Sequence, residues 1–488
     1  MTDYSVVIPT TGRESLRVLL EALDGAAGPP PLEIIVVDDR PGTPELSLPP
    51  CRVPLEVIHS GGRGPAAARN AGWRAARGDW IAFLDDDVVV GPDWPARLAE
   101  DLASADEHTA ASQGRITVPL PPRPTDDERG TAGLETARWI TADMAYRRSV
   151  LAAVGGFDER FPSAYREDAD LALRVCLAGH DIVTGSRLTT HPARRSGPLA
   201  SVRAQRGNAD NALLRRKFGA RWRARIGEGP GRVRRHAAST VAGLSTVLFG
   251  LLRHRKAAAV AGGVWAALTA GFAGTRIAPG PRTPGEIGRM LLTSVLIPPA
   301  ACWHRVRGEF AHRRAGGPPL AVLFDRDDTL IEDVPYLNDP EKVRPVPGAV
   351  DLVRRLRTAG VGVGVVSNQS GVAKGLISRE ELAAVNARVE ELLGPFDTWQ
   401  VCVHDEADRC ACRKPAPGLI RAAAAELRVP ASRCVVIGDT GGDVAAAETA
   451  GARGILVPTA RTRPEEAERA ATVAPDLAHA VRLAMEVR

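Results

Sequence analysis

Two aspartates spaced two apart, Asp325 and Asp327, sit in Leu320-Ala-Val-Leu-Phe-Asp325-Arg-Asp327-Asp-Thr329-Leu330. An apolar run leads into the acidic cluster, the pattern of a buried strand that ends in a polar turn. At the carboxyl end of a strand in an open α/β sheet, a carboxylate stands at the mouth of a ligand crevice. Asp325 there has the chemistry for covalent attack on phosphorus. Asp327 can protonate a leaving alkoxide and then activate water. An acidic turn without catalysis would use the same residue types, so the assignment depends on what else reaches that mouth.

The elements that must position these residues follow in order. Val361–Val366 is an apolar run ending in Ser367-Asn368-Gln369-Ser370-Gly371, whose hydroxyl, amide and backbone N–H groups suit phosphate oxygens. Cys434-Val-Val-Ile437 runs into Gly438-Asp439-Thr-Gly-Gly-Asp443. A Mg²⁺ held by Asp325, Asp439 and the backbone carbonyl of Asp327 would offset repulsion between carboxylate and phosphate, with Lys414 as a further cation. Trp399–Val403 leads into Cys402-x-His404 and Cys410-x-Cys412, followed directly by Arg413-Lys414-Pro415. Three of the seven cysteines and a histidine thus fall within eleven residues, which predicts a closed, structural Zn²⁺ site. Its expected job is to stiffen the loop that presents Arg413 and Lys414. A receiver-type signalling domain also places Asp, Ser/Thr and Lys at strand ends. Asp327 and the length of the segment argue against it.

Residues 319–460 resemble the haloacid-dehalogenase superfamily. Within it they are similar to the D-glycero-D-manno-heptose 1,7-bisphosphate phosphatases and the related histidinol-phosphate phosphatases. The resemblance implies that Asp325 is phosphorylated, that Asp327 is the acid/base, and that Ser367 and Lys414 hold the phosphoryl group. Thr329, Asn368 and Arg413 are then expected on the substrate. Two positions depart from the family pattern: Asp328 replaces a usual Gly, and Lys374 a usual Arg.

In the N-terminal third, strand-like runs at 4–9, 33–39, 53–58 and 80–84 alternate with helical spacing at 14–23 and 66–76, which predicts a parallel α/β unit. The fourth run enters Asp85-Asp86-Asp87. Asp85 and Asp87 can hold a divalent cation while a diphosphate fills its remaining positions. Arg166-Glu167-Asp168-Ala-Asp170 opens a helix whose carboxylates can include a base toward an incoming hydroxyl. The same residue types also serve as solvated turns and as favourable charges at a helix start.

The ordered set Val-Val-Ile-Pro-Thr, Val-Val-Asp38-Asp39, Ala-Arg69-Asn70-Ala-Gly, Phe-Leu-Asp85-Asp86-Asp87, Gly155-Gly156-Phe157-Asp158-Glu159 and Glu167-Asp168 resembles the family 2 glycosyltransferases of GT-A fold. The resemblance spans roughly residues 1–200. It implies inverting transfer from a nucleotide-diphospho-sugar to an acceptor, with Asp39 on the nucleotide base and Arg69 near the nucleotide. Asp85 and Asp87 would bind Mg²⁺ or Mn²⁺, Asp168 would be the base, and His191 is a candidate to complete the metal site.

Between these regions the chain is basic. Arg194 to Lys256 holds sixteen Lys/Arg against Asp210 and Glu228, a local +14, so the net charge of +5 leaves −9 for the rest. Such a segment fits an anionic partner or an Arg-rich solvated face. Residues 237–252 and 257–274 are apolar helical stretches, and Pro279-Gly-Pro281, Pro298-Pro299 and Gly316-Gly-Pro-Pro319 are expected breaks. If the two stretches spanned a bilayer as a pair, Arg253-His-Arg-Lys256 would have to cross it, against the positive-inside tendency. Helices lying on an anionic membrane surface, or a helical adaptor, are therefore expected for 194–316.

The whole reads as two doubly wound α/β domains, 1–200 and 317–488, joined by a basic helical segment at 201–316. Cysteine usage and a first strand beginning at Tyr4 predict a reducing, cytoplasmic setting, with peripheral membrane contact and no nucleic-acid partner. Alternatives are a phosphatase for histidinol phosphate or for the transferase's own phosphorylated product, and a silent binding role for one half.

Overall fold

Strands buried on both faces need apolar residues at nearly every position, and the first third supplies them. The computed structural model describes residues 3–42, 45–193, 197–313, 317 and 319–485. In it β1 (Tyr4–Thr10), β2 (Ile34–Asp38), β3 (Leu55–His59) and β4 (Trp80–Leu84) pair in parallel in the order β3-β2-β1-β4. Val6, Ile8, Val36 and Ala82 share one core with Leu16, Leu19 and Leu20 of helix Ser15–Gly25. Val7, Ile35, Val37 and Phe83 face the opposite core, covered by Ala66 and Trp73 of helix Pro65–Ala75 and by Leu171 and Val175 of helix Glu167–Leu177.

Beyond β4 the sheet is mixed rather than parallel. β5 (Val89–Val90), β6 (Thr109–Thr117), β7 (Asp143–Arg147) and β8 (Asp181–Thr190) continue it in the order β4-β7-β6-β8-β5, with β7 antiparallel to β4 and β6. Hydrophobic periodicity does not reveal β6 and β7 because a buried polar network fills part of their core. Arg187 donates to Asp143 (2.7 Å), Asp101 (3.0 Å) and the Ser112 hydroxyl (2.8 Å), all of them buried.

The basic segment is helical: Gly207–Phe218, Val233–Leu251, Arg255–Ile277 and Pro284–Ala311, the last three packed on one another. Pro298-Pro299, expected as a break, lies inside the last of these. Ile297, Pro298 and Ala301 are buried, and that packing carries the helix past the missing N–H donors. The outer faces stay apolar, with Leu244 66% and Leu251 78% exposed. Among the described residues, Arg255–Ile277 is long and apolar enough to cross a membrane by length and composition, with hydropathy 1.5 and 6% of its window buried.

The chain divides into two compact units, the second made mainly of Gly316–Arg488, with the basic helices in the first. The second unit is a five-stranded parallel sheet. Its strands are β9 (Ala321–Phe324), β10 (Gly362–Asn368), β11 (Thr398–Cys402), β12 (Cys434–Gly438) and β13 (Arg453–Leu456), in the order β11-β10-β9-β12-β13. The first strand is central, so the chain reverses its direction of travel beside β9, where the crevice of a doubly wound sheet opens. Both units are α/β, as the sequence predicts.

Candidate active sites

Asp325 follows β9 directly, between the ends of β10 and β12. Lys414 reaches it from the loop after β11: its Nζ lies 2.5 Å from Asp325 Oδ1, donates to the Val366 carbonyl (2.8 Å), and lies 2.5 Å from Asp443 Oδ1. Asn368 braces that lysine's backbone, its Nδ2 donating to the Lys414 carbonyl and its Oδ1 accepting from the Lys414 N–H, both at 3.0 Å. Asp443 is presented by the first turn of helix Gly441–Ala450, where it also caps Thr440. Gly438 is required just before Asp439, because a Cβ there would lie 2.4 Å from the Asp443 carboxyl carbon.

Asp325, Asp439 and Asp443 offer oxygens within 4.8 Å of one another, against one ammonium. Burial, and then the repulsion of Asp443, push Asp439 up to about 7. Burial lifts Asp325 to about 8, with Lys414 pulling down and Asp443 pushing up. With all three ionised, the carboxylates would exceed the one lysine in charge, and hard oxygen donors at this spacing fit a Mg²⁺ ion. Asp443 escapes a reading of strand ends because it lies a helical turn beyond β12. The spacing Gly438-Asp439-x-x-x-Asp443 before a helix was the available signal.

Asp327 stands beside this cluster. Its oxygens accept from the buried Arg326 (2.9 and 3.1 Å) and from Gln369 Nε2 (2.7 Å). Gln369 also donates to Ser367 Oγ (2.9 Å), so Asp327 and Ser367 share one amide. The Thr329 hydroxyl is buried with no hydrogen-bond partner among the described residues, as a donor or acceptor waiting for a ligand would be.

Cys402, His404, Cys410 and Cys412 converge, each with one ligand atom within 4.8 Å of the others. Their sulfurs are 3.3–3.6 Å apart, and His404 Nδ1 lies 3.6 and 3.4 Å from the Cys402 and Cys412 sulfurs. Zn–S bonds of about 2.3 Å give tetrahedral S···S edges of roughly 3.8 Å, so the donor set fits Zn²⁺ after slight expansion. The Arg413 N–H donates to Cys410 Sγ (3.3 Å) and its guanidinium to the His404 carbonyl (3.4 Å), which ties the cluster to Lys414's neighbour.

In the first unit, Asp85, Asp86 and Asp87 follow β4 with alternating exposure. Asp86 is buried and accepts from the Thr10 hydroxyl (2.6 Å) and Arg13 (2.9 Å), whereas Asp85 and Asp87 are half-buried. His191 Nε2 lies 3.5 Å from Asp87 Oδ1. Asp85 instead points to Arg69 (2.8 Å), and among the described residues Asp85, Asp87 and His191 do not converge into a ligand cluster like those of the second unit. Asp39 accepts from the Ser60 hydroxyl (2.6 Å) and the Gly64 N–H (2.9 Å), which anchors the glycine-rich loop.

Arg69, expected near the nucleotide, is 2% exposed and spans two carboxylates. It donates to Asp85 (2.8 Å) and Glu167 (2.7 Å), so it couples the end of β4 to the helix that carries Asp168. Burial, and then repulsion from Asp168, raise Glu167 to about 8 despite Arg69. Asp168 is likewise raised, chiefly by burial. Asn70 clamps the Gly155-Gly156-Phe157 loop: its Oδ1 accepts from the Phe157 N–H and its Nδ2 donates to the Phe157 carbonyl, both at 2.9 Å. A Cβ on Gly156, at φ +69°, would lie 2.5 Å from that Oδ1.

Comparison with known proteins matches residues 5–150 to the glycosyl transferase family 2 and residues 411–480 to the HAD-hydrolase-like family. D-glycero-β-D-manno-heptose-1,7-bisphosphate 7-phosphatase of Pseudomonas putida is 35% identical over 145 residues, 29% of this chain and 83% of that protein. The Mesorhizobium japonicum protein of the same name is 37% identical over 161 residues, 30% of this chain and 74% of that one. The crystal structure of D,D-heptose 1,7-bisphosphate phosphatase from B. bronchiseptica, complexed with magnesium and phosphate, is 30% identical and covers 33% of this chain and 97% of that one, with a TM-score of 0.31. The chain is thus an enzyme with a family 2 glycosyltransferase domain and a HAD-like phosphatase domain, the latter belonging to the heptose bisphosphate phosphatase family.

Proposed function

We propose that the second unit is a Mg²⁺-dependent sugar phosphatase that works through an aspartyl-phosphate on Asp325, with D-glycero-D-manno-heptose 1,7-bisphosphate as its substrate and the 7-phosphate released. The observation that carries this reading is the buried convergence of Lys414, Asp325, Asp439 and Asp443. An Asp325 oxygen attacks phosphorus, and the bond from phosphorus to the sugar oxygen breaks with its electron pair leaving on that oxygen. Asp327 supplies the proton. Asp327 then takes a proton from water as the water attacks phosphorus and frees Asp325. Lys414, with the Ser367 and Thr329 hydroxyls, receives the phosphoryl oxygens. Asp325, Asp439 and the Asp327 carbonyl, joined by Asp443, are the groups that would hold Mg²⁺, which supplies charge neutralisation at the phosphoryl group. The substrate assignment rests on the relatives' names together with the intact cluster. Phosphate release from heptose bisphosphate in Mg²⁺, at least tenfold faster in kcat/KM than from histidinol phosphate, supports it. Equal or reversed rates overturn the choice of substrate.

The first unit is read as an inverting transferase acting on a nucleotide-diphospho-sugar. Asp85 and Asp87 would hold the diphosphate's cation, Asp39 would contact the nucleotide, and Asp168 would be the base. Cytoplasmic working and peripheral contact of 194–316 with anionic membrane complete the reading. The apolar exposure of Leu244, Leu248 and Leu251, beside Arg253, Arg255 and Lys256, supports that contact. Flotation of the full chain with anionic vesicles at low salt tests it, and absence of binding removes it.

A further inference from the structure

A cavity of about 300 Å³ lies in the first unit, lined by Tyr165, Asn208, Asn211, Arg223, Arg232 and His236 among others. Tyr165 and Arg166 immediately precede Glu167-Asp168. Arg166 stacks over the Tyr165 and Trp222 rings at 4.5 and 5.0 Å and donates to Asn211 (3.0 Å), so the wall of the cavity is continuous with the start of the Asp168 helix. Tyr165 packs where a side chain on Gly207 would stand: a Cβ there would lie 2.6 Å from the ring.

The charges in this cavity do not balance. Glu228 is shared between Arg166 and Arg223, at 2.5 Å from each. Among the described residues Arg232, exposed at the rim of the cavity, has no carboxylate partner, and its guanidinium lies 5.9 Å from the Phe272 ring centre. His236 meets that ring edge-on at 5.2 Å. Burial, and then the charge of Arg166, hold Arg223 below its usual value. Burial, then Arg232 and Arg276, lower His236. Asp210 is close enough to Arg166 to be lowered by it, yet burial leaves Asp210 raised to about 6, so it adds little negative charge here at lower pH. A polar cavity with two arginines, a histidine and amide donors fits a phosphate with attached hydroxyls.

We propose that this cavity is an acceptor subsite that binds a phosphate group carried by the molecule to be glycosylated. The proposal rests on the reading of Asp168 as the transferase base, since the cavity wall at Tyr165 leads directly into the helix that carries Asp168. Arg232 and His236 grip the phosphate while the acceptor's hydroxyl points toward the Asp168 helix. The phosphate has two possible carriers, a soluble sugar phosphate or a lipid headgroup. His236 lies on helix Val233–Leu251, whose further turns expose leucines.

Calorimetric titration of the full chain with inorganic phosphate tests the proposal. The phosphatase site contributes its own binding, so the readout is the increment that Arg232→Gln removes. Arg232→Gln is expected to weaken one phosphate site at least tenfold, with Arg232→Lys restoring part of it and Lys414→Ala leaving that site in place. Identical isotherms for the wild type and Arg232→Gln, in protein of unchanged Tm, overturn the proposal. Competition by glucose 6-phosphate identifies a soluble carrier, and competition by vesicles containing phosphatidic acid identifies a lipid. Competition by neither overturns it. Turnover surviving in Asp168→Asn while Arg232→Gln still removes the phosphate site sinks the base assignment instead, so the two failures are distinguishable.

Discussion

Lys414 Nζ lies 2.5 Å from Asp325 Oδ1 and the same distance from Asp443 Oδ1, so one buried ammonium holds two buried carboxylates at the end of β9. Its removal leaves both acids uncompensated and takes a cation from the phosphoryl group. Lys414→Ala is expected to lower phosphate release by about 10²–10³-fold. Sugar transfer should persist in the same protein, because its residues belong to the first unit. Phosphate release within threefold of wild type would remove Lys414 from the chemistry.

The cysteine cluster gives a second expectation. One zinc per chain should be found by elemental analysis, and Cys410→Ser should lose it. Because Arg413 leans on Cys410 and His404, loss of the metal should also lower Tm and phosphatase kcat/KM while sugar transfer is retained. Zinc-free wild-type protein with full phosphatase activity would contradict this.

The two α/β units were legible in the sequence because their parallel strands are short apolar runs ending in carboxylates, as at Asp85, Asp325 and Asp439. β6 and β7 were not, because Arg187, Asp143 and Ser112 take core places that periodicity assigns to apolar residues. Arg69 shows another limit. Its position in a motif was readable, but nothing local reveals that both its partners, Asp85 and Glu167, lie across the fold. Pro298-Pro299 shows the converse: a strong local break signal is overridden by burial of Ile297 and Ala301.

Glu167 makes stability depend on pH. Its carboxyl is raised from 4.5 to about 8 by burial and by Asp168, so the folded chain binds a proton there that the unfolded chain releases near 4.5. Stability from this group is therefore full below about 4.5 and is lost as pH rises toward 8. Glu167→Gln keeps an acceptor for Arg69 and should flatten the fall in Tm between pH 5 and 8. An unchanged slope would mean that Glu167 is ionised throughout.

Asp168→Asn should abolish sugar transfer, a drop of at least about 10²-fold, while nucleotide-sugar binding measured by calorimetry stays within a few-fold. Retained turnover in that variant would remove Asp168 as the base.

The central claim is covalent: Asp325 carries a phosphoryl group during turnover. Rapid acid quench of the full chain with its sugar phosphate in Mg²⁺, followed by borohydride reduction and peptide mass spectrometry, should convert Asp325 alone among the acidic residues of its peptide to homoserine. An unmodified Asp325 in protein that is turning over and retains its zinc would contradict the account.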